Sequence, residues 1–277
     1  MNGVEHESVN NGAQKLRSLA LRVISSIILI PIVVSAIHFG ERGFTALVAF
    51  LCVVMVFEWT RMVERKEFSP AFYVLAGGAA AAMFAASSGK FLLAFAIAVT
   101  GGALAWLTVP KSSDARQWVL ATSLYIIVPS LALVWLRLDA EQGRSFTFLL
   151  FLIVWAADIG AFIFGKLIGG PIISHALSPS KTWAGIGGGV CGGILAGALA
   201  APFFFGSEMA LAGALLGSGL GASSVLGDLA ESRIKRNFGV KDISSFIPGH
   251  GGVLDRLDGM IFATIAMTGV YFVYMLL

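Results

Sequence analysis

Charged side chains are concentrated in one stretch of this sequence, residues 227–259. The stretch contains five acids and five bases, in a chain of which only 13% is charged. Asp228 and Glu231 are spaced i,i+3, so they share a face if the preceding helix continues through them. Asp255 and Asp258 repeat that spacing at the entry to the last apolar segment. Two carboxylate pairs at facing helix ends could hold one or two hard cations, and Mg²⁺ prefers carboxylates together with waters and substrate phosphates.

The residues between the two carboxylate pairs suit a phosphorylated ligand. Pro248-Gly-His-Gly-Gly252 permits close backbone approach, because glycine adopts conformations that other residues resist. No second histidine is near enough to His250 to build a zinc site, which favours contact with phosphate. The alternative, an ion-paired surface loop, needs neither the glycines nor carboxylates at both membrane borders. The basic residues suited to polyphosphate are Arg233, Lys235, Arg236, Lys241 and Arg256.

Two upstream features could contribute to the same chemistry. Asp158 lies well inside an apolar run, where ionisable groups usually face a cavity or a partner; the alternative is a structural hydrogen bond between helices. Residues 178–185 place three hydroxyls and Lys181 just before a helix start, where phosphate oxygens bind readily. The alternative there is a helix cap with an interfacial lysine.

The elements that must position these residues are membrane-spanning helices. Of the chain, 57% is hydrophobic and the mean hydropathy is +0.86. Only 13% of it is charged, whereas soluble domains are about 25% charged. Apolar segments of roughly 17–25 residues can cross a bilayer, and the first lacks a cleavage site, so we expect it to be retained. The predicted fold is an all-α, polytopic membrane protein with about nine transmembrane helices, near 22–39, 43–60, 71–88, 91–109, 118–136, 146–165, 184–205, 209–227 and 259–277.

These predicted helices divide the chain into three parts. Residues 1–21 form a polar tail, residues 22–145 form N-terminal transmembrane helices, and residues 146–277 form a catalytic transmembrane region with a signature loop at 228–258.

Lysine and arginine are distributed unevenly between alternate loops. With a cytoplasmic N-terminus, the outside segments hold only Arg42, Lys90, Arg137 and Arg144 of the nineteen such residues. Because cytoplasmic loops carry the excess of Lys and Arg, the charged segment and the active site are expected to face the cytoplasm. We expect an integral protein of a bacterial inner (cytoplasmic) membrane, with no nucleic-acid partner.

Glycines recur every four residues in two neighbouring spans and predict close helix packing, either within the chain or in a homodimer. They are Gly185, Gly189, Gly193 and Gly197, followed by Gly213, Gly217 and Gly221. Cys52 and Cys191 lie in apolar runs without metal-ligand or disulfide spacing, so we expect both to be small core residues.

The charged segment also resembles a known family. It reads Ser232-Arg-Ile-Lys235-Arg236, then Lys241-Asp242-Ile-Ser, then Ile247-Pro-Gly-His250-Gly-Gly-Val-Leu-Asp255-Arg256-Leu-Asp258. This order is similar to the signature of phosphatidate cytidylyltransferases, also called CDP-diacylglycerol synthases. Upstream, Asp158-x-x-Ala161-x-x-x-Gly165-Lys166 and Ser178-Pro-x-Lys181-Thr182 resemble the same family.

The chain departs from the family at two positions. The family usually reads Ser-Pro-Lys-Lys-Thr-x-Glu-Gly, and this chain has Ser180 for the first lysine and Ala184 for the glutamate. The loss of one cation and one carboxylate predicts weaker substrate binding or a shifted specificity in an enzyme that is still active.

The resemblance implies transfer of CMP from CTP to phosphatidic acid, giving CDP-diacylglycerol and pyrophosphate, with Mg²⁺. Asp228 and Asp255 would be the leading metal ligands, and Asp258 and Glu231 would support them. Asp158 would orient a lysine or hold a second, monovalent cation such as K⁺. The membrane lipid would enter sideways from the inner leaflet, and CTP would arrive from the cytoplasm.

The resemblance also implies the remaining site residues. Those expected to hold phosphates or act in catalysis are Lys235, Arg236, Lys241, Asp242 and Arg256. Those expected to line the nucleotide pocket are His250, Gly249, Gly251 and Gly252. Those expected to bind substrate from the opposite wall or beside it are Ser178, Lys181, Thr182 and Ser232.

Three other functions compete with this interpretation. A CDP-alcohol phosphotransferase would continue Asp258-Gly259 with Ala-Arg, which fails at Phe262-Ala263. A CTP-dependent polyprenol or phytol kinase would act on a lipid alcohol and would need a base. A transporter would use Asp158 and the glycine stripes as an ion path, and it predicts paired interrupted helices in two halves.

Overall fold

The computed structural model describes residues 27–138, 142–174, 178–244, 246 and 251–276. Within these ranges, eight helical segments are long and apolar enough to cross a membrane, and a shorter apolar helix, Ile27–Phe39, precedes them. The predicted polytopic, all-α architecture is therefore confirmed. The first turns of the first expected span, residues 22–26, lie outside the described ranges.

Most of the helices follow one another with short connections. The fourth long span is continuous from Ala115 to Leu138 and contains a π-helical segment, Ser123–Ile127, between two α-helices. The elements are α1 Ile27–Phe39, α2 Glu41–Glu64, α3 Pro70–Ser87, α4 Phe91–Thr108, α5 Ala115–Thr122, α6 Val128–Leu138, α7 Gly143–Leu167, β1 Ile172–Ser174, β2 Ser178–Thr182, α8 Trp183–Phe205, α9 Ala210–Asn237 and α10 Leu254–Leu276.

A small antiparallel hairpin, not anticipated from the sequence, connects α7 to α8. Its strands pair Ile172 with Thr182 and Ser174 with Ser178. At the end of β2, the Thr182 hydroxyl accepts a hydrogen bond of 3.1 Å from the Gly185 backbone N–H and so caps α8. The second strand therefore leads directly into the N-terminal end of α8.

The two glycine stripes pack against each other inside the chain. A Cβ on Gly193 would collide with the Gly217 carbonyl oxygen, and a Cβ on Gly197 would collide with that of Gly213. Side chains larger than hydrogen would push α8 and α9 apart, which is the close approach that small residues permit in lipid. The two glycine stripes therefore serve helix packing within one chain.

Cys52 is buried as expected, but the prediction for Cys191 is wrong, because its side chain is exposed. On α8 it belongs to a four-residue repeat with Leu195, Leu199 and Phe203, all of which are exposed. Cys191, Leu195 and Leu199 each lie two residues beyond a glycine of the packed face. In a membrane-spanning chain this apolar stripe faces lipid, so an apolar residue need not be in the core.

The charged segment expected to form a loop at 228–258 is helical at both ends. Helix α9 continues to Asn237, past the predicted end at 227, and α10 begins at Leu254 rather than 259. The reason is that hydropathy marks where lipid ends, whereas Ala, Glu, Lys and Arg are good helix formers in or out of lipid. The condition for Asp228 and Glu231 to share a helix face is therefore met.

Candidate active site

A polar cavity of about 480 Å³ opens between the hairpin and helices α7, α8, α9 and α10. It also has a smaller apolar wall that includes Phe162, Ile186 and Val225. The sequence-predicted site residues that line it are Asp158, Ser178, Lys181, Thr182, Asp228, Glu231, Ser232, Lys235, Arg236, Lys241, Asp242, Asp255, Arg256 and Asp258. Residues from four separate stretches of sequence therefore meet in one place.

Of the predicted glycines and histidine of the signature, the two that the structure describes, Gly251 and Gly252, do not line the cavity. Gly249 and His250 lie outside the described residues. Gly251 adopts a left-handed backbone conformation with φ +87°, which suits glycine. Gly252 lies behind Asp255 rather than on the cavity surface.

Close contact between α9 and α10 brings the carboxylates together. A Cβ on Gly227 would collide with the carbonyl oxygen of Asp258, and a Cβ on Gly259 would collide with the Ser224 hydroxyl. The two backbones touch at these glycines. Asp228, the next residue along α9, is therefore placed beside the first turns of α10.

Three carboxylates form an acidic triad: Asp228, Glu231 and Asp258. One oxygen from each lies within 4.8 Å of the others. Glu231 is 1% exposed and Asp258 is 8% exposed. Within the described part of the chain, the buried Glu231 Oε1 has no hydrogen-bond partner. Buried like charges with an unsatisfied oxygen are costly, so a bound cation would stabilise the triad. Three carboxylates are a donor set that suits a hard cation.

Asp255 is held differently from the triad. Its Oδ1 lies 2.7 Å from Lys235 Nζ, and its Oδ2 accepts hydrogen bonds from the backbone N–H groups of Gly252 at 3.0 Å and Ile243 at 3.3 Å. Lys235 Nζ also lies 2.8 Å from Glu231 Oε2, one helical turn earlier on α9. Lys235 therefore bridges Asp255 and the acidic triad, and the assignment of Asp255 as a leading metal ligand stays a prediction.

Lys181 connects the hairpin to α9. Its Nζ lies 2.5 Å from Asp228 Oδ1 and donates to the Ser232 hydroxyl at 3.3 Å. The capping alternative for this segment is correct for Thr182, and Lys181 lines the polar cavity. Asp158 also lines the cavity, as its position within an apolar run indicated.

Sequence reasoning missed Glu58, a fully buried carboxylate on α2. It accepts hydrogen bonds from Ser244, Val253 and Leu254, which follow α9 and enter α10. The signal that could have found it is the one that identified Asp158: an acid inside an apolar segment is usually functional or paired.

Tyr125 was also missed. Its buried hydroxyl has no hydrogen-bond partner in the described ranges, and Glu231, Asp258 and Asp228 are its electrostatic neighbours. Tyr125 lies in the π-helical segment, and such segments are frequent at functional sites.

Comparison with known proteins assigns the family. The family model described as "Cytidylyltransferase family" matches residues 20–275 of this chain. A phosphatidate cytidylyltransferase of Brucella suis biovar 1 is 37% identical over 256 residues, covering 90% of this chain and 91% of the relative. Proteins with the same name from Pseudomonas aeruginosa and Haemophilus influenzae are 35% and 33% identical, covering 93% and 99% of their own lengths. This integral membrane protein belongs to the cytidylyltransferase family.

Proposed function

We propose that the polar cavity catalyses transfer of CMP from CTP to phosphatidic acid. A phosphate oxygen of phosphatidic acid attacks the α-phosphorus of CTP, and the bond from that phosphorus to the bridging oxygen of the β-phosphate breaks. The products are CDP-diacylglycerol and pyrophosphate. The observation that carries this proposal is the meeting of the acidic triad with Lys181, Lys235 and Arg256 in one cavity.

The main barrier to this reaction is electrostatic. The phosphate of phosphatidic acid is already an anion at neutral pH, so the nucleophile needs little help from a general base. Two polyanions must instead be brought together and held in line. Positioning and charge stabilisation supply most of the catalysis in phosphoryl transfer.

The acidic triad is the proposed Mg²⁺ site. Asp228, Glu231 and Asp258 would hold the ion, with the unpartnered Glu231 Oε1 as one ligand atom. When bound, Mg²⁺ supplies positive charge that offsets the repulsion between the phosphates. Asp255, the other predicted leading ligand, accepts hydrogen bonds from the protein with both oxygens and would have to exchange one of them to join the ion.

Basic and hydroxyl side chains would bind the phosphates. Lys235 is suited to this role because two carboxylates fix its ammonium group at the cavity wall. Lys181 would exchange part of its contact with Asp228 for a phosphate oxygen. Asp158, on the α7 wall, would orient a lysine or hold a monovalent cation such as K⁺. The other proposed phosphate contacts are Ser178, Thr182, Ser232, Arg236, Lys241 and Arg256, with Asp242 beside them.

The lipid would reach the cavity from the bilayer. Phe162 on the apolar wall is largely exposed, and we expect this side of the cavity to face the lipid. We place the cavity on the cytoplasmic side of a bacterial inner membrane, because the lysine and arginine excess lies on that side of the predicted topology. The glycine stripes pack within the chain and give a homodimer no support.

Turnover by the purified protein tests the proposal. CTP and phosphatidic acid should give CDP-diacylglycerol and pyrophosphate, and chelation of Mg²⁺ should stop the reaction. A polyprenol or phytol kinase would instead phosphorylate a lipid alcohol. A CDP-alcohol phosphotransferase would consume CDP-diacylglycerol, and a transporter would move solute into proteoliposomes without CTP.

A further inference from the structure

Glu58 connects the N-terminal helices to the active site. It lies on α2, is 0% exposed, and accepts hydrogen bonds from donors 186 to 196 residues away. Its donors in the described part of the chain are neutral: the Ser244 hydroxyl and the backbone N–H groups of Val253 and Leu254. Burying a polar group is costly unless the group is hydrogen-bonded, and these three hydrogen bonds offset that cost for Glu58.

Two of these donors belong to the start of α10. The first N–H groups of a helix have no partner inside the helix. Val253 N donates to Glu58 Oε1 at 3.0 Å, and Leu254 N donates to Glu58 Oε2 at 2.8 Å. A negative charge at this end also interacts favourably with the helix dipole. Glu58 thus supplies from α2 the cap that a local side chain usually provides.

The same contacts determine where Asp255 lies. Gly252 is sandwiched between two carboxylates: a Cβ there would lie 2.8 Å from Glu58 Oε1 and 3.1 Å from Asp255 Oδ2. On the other side, Ser244 binds Glu58 while its neighbour Ile243 binds Asp255. Two separate parts of the connection between α9 and α10 are therefore held by this pair of carboxylates.

We propose that Glu58 is a positioning residue for catalysis. By fixing the first turn of α10, it sets the positions of Asp255 beside Lys235 and of Asp258 in the acidic triad. Glu58 itself does not line the polar cavity in which the substrates would bind. This inference rests on the proposed cytidylyl transfer at that cavity.

The test is Glu58→Gln in the full-length protein in detergent. The amide keeps the shape but removes the charge, and its NH₂ group cannot accept from the α10 N–H groups. Residues that orient metal ligands typically change metal affinity or activity about 10- to 100-fold when mutated. We expect kcat/KM to fall, and the half-saturating Mg²⁺ concentration to rise, by about tenfold or more on that basis. Glu58→Asp keeps the charge and should recover part of both.

The matched control is Thr60→Val on the same helix. Thr60 is also buried, and within the described ranges its hydroxyl donates to backbone oxygens of α2 alone, so its loss should leave the half-saturating Mg²⁺ concentration unchanged. A second readout is independent of turnover: Mg²⁺ should raise the Tm of the wild-type protein, and Glu58→Gln should shrink that rise.

Each outcome decides between the two proposals. If folded Glu58→Gln has wild-type kcat/KM and Mg²⁺ dependence, or if Thr60→Val shifts the Mg²⁺ dependence equally, the positioning role is wrong. If Glu58→Gln does not fold, Ser244→Ala removes one donor and should shift the Mg²⁺ dependence in the same direction by less; no shift overturns the proposal. If the wild-type protein shows the Mg²⁺-induced Tm rise but no turnover, the proposed function fails while the positioning role is still tested by Tm.

Discussion

Lys235 Nζ lies 2.7 Å from Asp255 Oδ1, and this ion pair joins the last turns of α9 to the first turn of α10. The same ammonium group lies 2.8 Å from Glu231 Oε2. One lysine therefore contacts a carboxylate on each helix while its ammonium group lies at the cavity wall. A basic residue expected to bind phosphate thus also holds the two walls of the site together.

Replacing Lys235 with Met should abolish turnover and destabilise the fold. Both carboxylates would stay buried without their cation, and removing one partner of a buried pair costs about 3–5 kcal/mol. The measurements are product formation and the free energy of unfolding or the Tm in detergent. Lys66→Met, at an exposed position between α2 and α3, is the control and should change neither. Wild-type stability of the Lys235 variant would mean that the pair is not buried as described.

Gly227→Ala should reduce both stability and turnover. The new methyl group would collide with the Asp258 carbonyl oxygen and push α10 away from α9. Overpacking of this kind typically costs about 1–3 kcal/mol. Gly219→Ala on the same helix has no atom within 4 Å of the added Cβ. That control should be neutral or slightly stabilising, and an equal loss in both variants would refute the role of the contact.

Lys181→Met should affect turnover far more than stability. The pair with Asp228 is partly exposed, and exposed ion pairs contribute little to folding, about 0–1 kcal/mol. Without Lys181 the KM for CTP should rise, because a cation on the hairpin wall is lost. Steady-state kinetics and Tm measured together separate the two effects, with Lys111→Met as an exposed-lysine control. An unchanged KM would remove Lys181 from the substrate site.

Sequence patterns identified most of the residues that line the polar cavity but could not predict which of their side chains contact one another. Hydropathy and an isolated acid pointed to Asp158, and the i,i+3 spacing correctly put Asp228 beside Glu231 once α9 was seen to continue. Which partner each carboxylate takes depends on the crossing at Gly227 and Gly259, where contact between two backbones leaves no local pattern. That crossing places Asp258 beside Asp228 and Glu231, whereas Asp255 contacts Lys235.

Contacts over long sequence separations were the least predictable. Glu58 lies 195 residues from Val253, and only the packing of α2 against the start of α10 brings them together. The hairpin was missed for a different reason: its strands are of three and five residues, too short to show an alternating pattern.

Asp258→Asn gives the most direct test of the central claim that the acidic triad and the cavity around it make CDP-diacylglycerol with Mg²⁺. The substitution preserves the size of the side chain and removes one charge from the triad. The measurement is CDP-diacylglycerol formation from CTP and phosphatidic acid across a Mg²⁺ titration, for wild-type and variant protein of matched Tm. We predict Mg²⁺-dependent product with the wild-type protein and at least about a 100-fold loss in the variant, since metal ligands supply several kcal/mol of transition-state stabilisation. Full turnover by Asp258→Asn at the wild-type Mg²⁺ requirement would contradict the account.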